Sequence, residues 1–178
     1  MFQLRFPEDH LAEWARKYMA AARQEEIERE RDVETRVSPQ ARERGFLDRK
    51  DFLLRCRWKT ARPQSHCARN TEAAVEEVTR VAFGAQDERL KVAALLALHG
   101  VRWPTASVLL HFCDRRPYPI LDFRALWSLG VAAPTEYNFA FWNDYCGYVR
   151  GLHARTGLTM RVIDRALWQY SKERQRAS

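Results

Sequence analysis

Apolar positions recur at three- and four-residue spacings along almost the whole chain, and no stretch of useful length alternates with period two. The pattern predicts helices throughout. Leu11, Trp14, Tyr18 and Ala22 follow a helical period after Pro7-Glu8-Asp9, and the pattern continues into Gln24–Arg36, where Glu and Arg alternate. This reads as one long N-terminal helix with a solvated second half, ended or interrupted at Ser38-Pro39. Asp48 starts a helix to about Trp58, with Phe52, Leu53 and Cys56 on its apolar side. A polar, basic loop over Thr60–Asn70 follows.

Asn70-Thr71-Glu72 opens a helix whose buried stripe is Val75, Val78, Thr79, Ala82 and Phe83; Gly84 closes it, and Asp87 caps the next. That helix ends at Leu95, Leu96 and Leu98, and Gly100 occupies a position suited to positive φ. Pro104 fits the first turn of another helix, with Val108, Leu109 and Phe112 as its stripe. Pro117-Tyr118-Pro119 cannot be helical, and Phe123, Leu126 and Trp127 mark a short helix after Asp122. A helix over Thr135–Thr156 stops at Gly157, and Thr159 caps a last one that ends in a basic tail. The expected fold is all-α: a single compact helical domain over residues 1–178, with residues 1–37 as a helical arm and 71–130 as its core.

Composition narrows the partners. The net charge is +7, and the surplus is local: residues 42–69 carry nine basic and three acidic side chains, while residues 1–36 are net acidic. A concentrated surplus suits a phosphate-facing patch. No signal peptide or membrane span is recognisable, so no membrane partner is expected. Cys56, Cys67, Cys113 and Cys146 are scattered without metal-ligand spacing, which reads as reduced thiols in a cytoplasmic protein holding no metal and no cofactor. His66, His99 and His111 are isolated and read as surface or satisfied core side chains.

Taken alone, Asp122 reads as a helix N-cap. Its surroundings add a second reading. The run Leu98-His99-Gly100-Val101-Arg102-Trp103-Pro104-Thr105-Ala106, followed by Pro119-Ile120-Leu121-Asp122, resembles the helix-hairpin-helix DNA glycosylase superfamily. That family carries an L-x-G-V-G-x-x-T/S-A hairpin, then a loop and an aspartate-bearing segment. The adenine-glycosylase branches, where a P-I-L-D run is common, look most alike, and the resemblance covers about residues 71–130. Two positions depart from the pattern. Arg102 replaces the second hairpin glycine, and the lysine sites of bifunctional members fall on Pro104 and near Ala93, with Lys91 out of register.

The resemblance therefore implies a monofunctional DNA N-glycosylase, working as a monomer on double-stranded DNA. Asp122 would be its catalytic residue, and Gly100, Val101, Arg102, Trp103 and Thr105 would hold a phosphate. A base must be rotated out of the duplex to be excised. Trp58, Lys59 and Tyr118 are candidates for the pocket that receives it, each with a core or surface role as the alternative. The substrate would be a damaged base, as in repair, or a modified base such as the bulky cytosines of phage DNA, as in antiviral defence. The rival reading is a non-catalytic helix-hairpin-helix module that only holds DNA.

Overall fold

The computed structural model describes residues 1–59 and 64–175, and the regular structure among these residues is helical, with no strand. In chain order the helices are α1 (Leu11–Ala21), α2 (Gln24–Asp32), α3 (Ser38–Arg44), α4 (Arg49–Lys59) and the single turn α5 (Gln64–Cys67). There follow α6 (Glu72–Gly84), α7 (Glu88–Leu96), α8 (Trp103–Cys113), α9 (Phe123–Ser128), α10 (Phe139–Thr156) and α11 (Met160–Arg174). None of the described helices is long and apolar enough to cross a membrane.

The long N-terminal helix expected from periodicity is divided. Ala22 adopts extended backbone (ψ 143°), ending α1. Glu26 makes the new start: its carboxylate accepts the Arg23 N–H (3.2 Å) and holds the Arg23 guanidinium. That satisfies a donor which an uninterrupted helix would have paired internally. Ser38-Pro39 does not end the helical path. A π-turn over Val33–Val37 leads into α3, where Pro39 falls in the first turn and needs no N–H.

The chain forms two compact units, residues 1–27 with 117–178, and residues 28–116. In the first, α1 packs along α11 and α11 along α9. Leu11, Leu126, Trp142, Val149, Ile163 and Leu167 are buried there. The extended N-terminus ties this unit together: Gln3 and Arg5 donate their N–H groups to the carbonyls of Leu129 and Ser128 (3.0 and 2.9 Å). Those carbonyls close α9 and would otherwise lack partners.

In the second unit α8 is central. Thr105 through Leu110, Phe112 and Cys113 are all buried. A helix apolar on every side is surrounded rather than docked on one face, which is why the stripe Val108, Leu109 and Phe112 understates its burial. Arg55 of α4 is also fully buried, with Nη2 donating to Ser38 Oγ (3.1 Å) and the guanidinium 4.9 Å from the centre of the Phe112 ring. Burial pushes its pKa down. Arg55 is thus a core residue, although its sequence neighbourhood suggests a contact with nucleic acid.

Candidate functional site

The turn between α7 and α8 is built by three constraints. Ala97 and Leu98 close α7 with bonds to Ala94 and Leu95. Gly100 then takes φ +78°, a left-handed value unfavourable to residues with a Cβ. Space forbids a side chain as well: a Cβ at Gly100 would lie 2.7 Å from Cys67 N and 2.8 Å from Cys67 Sγ. The turn therefore rests directly on α5.

Asn70, 5% exposed, fixes it there. Its Nδ2 donates to the carbonyls of Cys67 and His99 (2.9 Å each), and its Oδ1 accepts the His99 N–H (2.9 Å). No part of the resemblance singles out Asn70. Its only signal in sequence is a hydrogen-bonding residue ahead of the Thr71 cap.

The five residues expected on the hairpin divide by exposure. Val101 and Thr105 are buried, so they anchor the turn and could meet a ligand only through backbone. Arg102 is exposed and Trp103 half-buried. Arg102 starts α8 in extended backbone without a side-chain cap. Among the described residues no hydrogen bond engages the N–H of Gly100 or Arg102. Together with the first turn of α8, this face can accept an anion.

Lys91 has a structural role. It is 1% exposed, and its Nζ donates to Ala82 O (2.9 Å), Phe83 O (3.1 Å) and the Asp114 carboxylate (2.5 Å). All three ammonium donors are occupied, tying the C-terminal end of α6 to that of α8.

Asp122 belongs to the other unit. It caps α9, with Oδ1 accepting the Arg124 N–H (2.9 Å), and is half-exposed. The segment before it is held firmly. Tyr145, fully buried, donates its hydroxyl to Ile120 O (2.7 Å), and Asp164 Oδ1 accepts the Ile120 N–H (3.2 Å). Burial pushes the Tyr145 phenol well up, and Asp164 adds to it. Burial likewise raises Tyr137, followed by the negative charge of Asp122. Both phenols thus stay protonated at neutral pH. Spacing alone marks Tyr145 as core and gives Asp164 no role.

Tyr118 takes its core alternative. It is 1% exposed, stacked on Trp142 (5.9 Å, 15°), with the Arg150 guanidinium 4.5 Å from its ring centre. The side chains of Trp58 and Lys59, and positions 60–63 of the expected polar loop, lie outside the described residues. All four cysteines are buried, and burial raises Cys56, Cys67 and Cys113, the last to about 11. His99 is exposed. No family model, curated protein or solved structure matches the chain.

Proposed function

We propose that the protein is an enzyme of DNA, and within that class a monofunctional N-glycosylase that removes a damaged or modified base. The observation carrying this reading is the α7–α8 turn: a left-handed Gly100 braced by Asn70, with Gly100 and Arg102 N–H groups unengaged among the described residues and the Arg102 side chain exposed. Such a turn suits a backbone phosphate, which it grips without reading sequence. The guanidinium of Arg102 adds a charge-assisted contact that the glycine of the family pattern lacks.

The chemistry follows from the leaving group. A base rotated out of the stack departs with the electron pair of its glycosidic bond, leaving positive charge on the sugar. A carboxylate stabilises that charge and takes a proton from the attacking water, whose oxygen bonds to C1′. Asp122 has one oxygen fixed by the Arg124 N–H, which orients the group. The occupied ammonium of Lys91 supports hydrolysis by water in place of an amine. A bulky modified cytosine, as in phage DNA, or a damaged base is the substrate class, in defence or repair.

The test is base release from duplexes carrying damaged and phage-type modified bases, comparing wild type with Asp122→Asn. Alkali-labile abasic sites made by wild type alone are expected. Binding without abasic sites on any duplex would leave a DNA-holding module in place of an enzyme.

A further inference from the structure

Helices α3, α6 and α8 all end at an open pocket within the second unit, about 470 Å³ in volume. It lies at the end of α8 away from the α7–α8 turn, about 16 Å along that helix. Five arginines line it: Arg42 and Arg44 of α3, Arg80 of α6, and Arg115 and Arg116 after α8. Two of them are engaged by acids outside the pocket. Arg44 donates to the Asp48 and Asp51 carboxylates (3.1 and 3.0 Å), and Arg116 pairs with Glu88 (3.3 Å). The buried acid of the pocket, Asp114, is held by Lys91.

Arginines gathered at helix C-termini have an ordinary use, which is to meet the last carbonyls where the helix dipole is negative. That use is already filled. Lys91 donates to Ala82 O and Phe83 O, and Arg116 to Ala85 O and Gln86 O (3.2 Å each). Arg42 Nε donates to Asp114 O (3.2 Å) and Arg115 Nη2 to Arg42 O (3.3 Å). Donors remain beyond these. Arg80 makes no hydrogen bond or ion pair among the described residues, and its guanidinium carbon lies 4.2 Å from the Phe46 ring centre. Both Nη groups of Arg42, and Nε and Nη1 of Arg115, are likewise without a hydrogen bond among the described residues. All three side chains are exposed. The other acid lining the pocket is Glu43, which is exposed and in no ion pair among the described residues.

Three guanidiniums from three separate segments thus converge against a single carboxylate. Like charges brought together repel, and an anion between them reverses the sign. Guanidinium forks match phosphate oxygens two at a time. The space exceeds what a phosphate group fills and falls within the about 300–1,000 Å³ of small-molecule sites. The ligand therefore carries an organic part, with the half-buried Phe83 among the residues around it. A concavity walled by three helix ends favours such a ligand over a duplex, whose phosphates lie on a convex cylinder.

We propose that this pocket binds a small organic phosphomonoester, with Arg42, Arg80 and Arg115 on the phosphate and Glu43 limiting the affinity. The site is separate from the α7–α8 turn and independent of the glycosylase reading.

The test is equilibrium dialysis of the full chain against adenosine 5′-monophosphate, ribose 5-phosphate, inorganic phosphate and adenosine. Both phosphomonoesters are expected to bind saturably, inorganic phosphate more weakly, and adenosine not measurably. Arg80→Gln and Arg115→Gln are each expected to weaken the phosphomonoesters about tenfold, the effect of losing one charge-assisted contact. Both positions are exposed, so melting curves should stay close to wild type. Glu43→Gln is expected to tighten binding severalfold, a gain that a merely structural role would not give. Wild type that binds neither phosphomonoester, or binds adenosine as well as its monophosphate, overturns the pocket. So do unchanged affinities in folded Arg80→Gln and Arg115→Gln. Duplex DNA that displaces the monophosphate and is itself weakened by Arg80→Gln overturns the small ligand and makes these arginines part of a DNA surface. Base release plays no part in the readout, so this proposal and the glycosylase reading fail separately.

Discussion

Replacing Asn70 with alanine tests whether the α7–α8 turn is a braced element or a loop that happens to lie on α5. The side chain makes three hydrogen bonds, to Cys67 O, His99 O and His99 N–H, each 2.9 Å. At about 0.5–1.5 kcal/mol net apiece, their sum bounds the loss at about 4.5 kcal/mol. Two corrections lower it. Cys67 O also accepts the Asn70 N–H (3.2 Å), and His99 is exposed, so water can reach its groups. The expected loss is about 1.5–3 kcal/mol, read by urea unfolding with an unchanged slope. Asn70→Asp sharpens the test. It keeps an acceptor for His99 N–H and sets a carboxylate oxygen against the two carbonyls, so it should lose at least as much as alanine. Both variants should also bind duplex DNA more weakly under conditions where they remain folded. Stabilities within about 0.5 kcal/mol of wild type would refute the brace. Weakened stability with unaltered DNA binding would separate the brace from the grip.

Two buried cations lead to opposite expectations. Lys91→Met leaves the 4%-exposed Asp114 without its ammonium partner and strips the Ala82 and Phe83 carbonyls of a donor. A loss of about 3–5 kcal/mol in chemical denaturation is expected, and a loss under ~1 kcal/mol would contradict the tie between α6 and α8. Arg55→Met removes a buried guanidinium whose Nε and Nη1 have no hydrogen-bond partner among the described residues. It should raise stability by about 1–2 kcal/mol, seen as a higher melting temperature. A lowered one would mean that the Ser38 bond and the Phe112 contact outweigh the desolvation of the charge.

Local signals were legible wherever one residue decides the backbone. Asp87 and Thr159 cap their helices, with Oδ1 accepting Leu90 N–H (2.7 Å) and Oγ1 accepting Val162 N–H (3.3 Å). Gly100 takes the positive φ its position called for, and Gly157, the expected stop of α10, does so too. Asp122 is the N-cap that it reads as when taken alone. What stayed hidden depends on partners distant in sequence or on local bonds that no single residue announces. The break at Ala22 has no proline or glycine to mark it and rests on Glu26 reaching back to Arg23. Helix α10 starts at Phe139 and not at Thr135, because Asn138 caps it, with Oδ1 accepting the Phe141 N–H (3.0 Å). Asn70 and Asp164 gain their roles only when His99 and Ile120 are brought beside them, 29 and 44 residues away.

The cap and the chemistry proposed for Asp122 ask different things of its carboxyl group, and substitution can part them. Capping needs one acceptor, Oδ1, facing the Arg124 N–H. Stabilising a cationic sugar needs the negative charge. The asparagine variant keeps the acceptor and loses the charge, whereas the alanine variant loses both. As a cap alone, Asp122→Ala should cost about 1 kcal/mol and Asp122→Asn a few tenths, the loss of charge at the helix N-terminus. As a cap that also acts on the sugar, Asp122→Asn should abolish base release while its unfolding curve stays close to wild type. Asp122→Ala should then release no base either, at visibly lower stability. Base release that survives in Asp122→Asn would leave the residue as a helix cap and nothing more, since neither acceptor geometry nor fold would have changed.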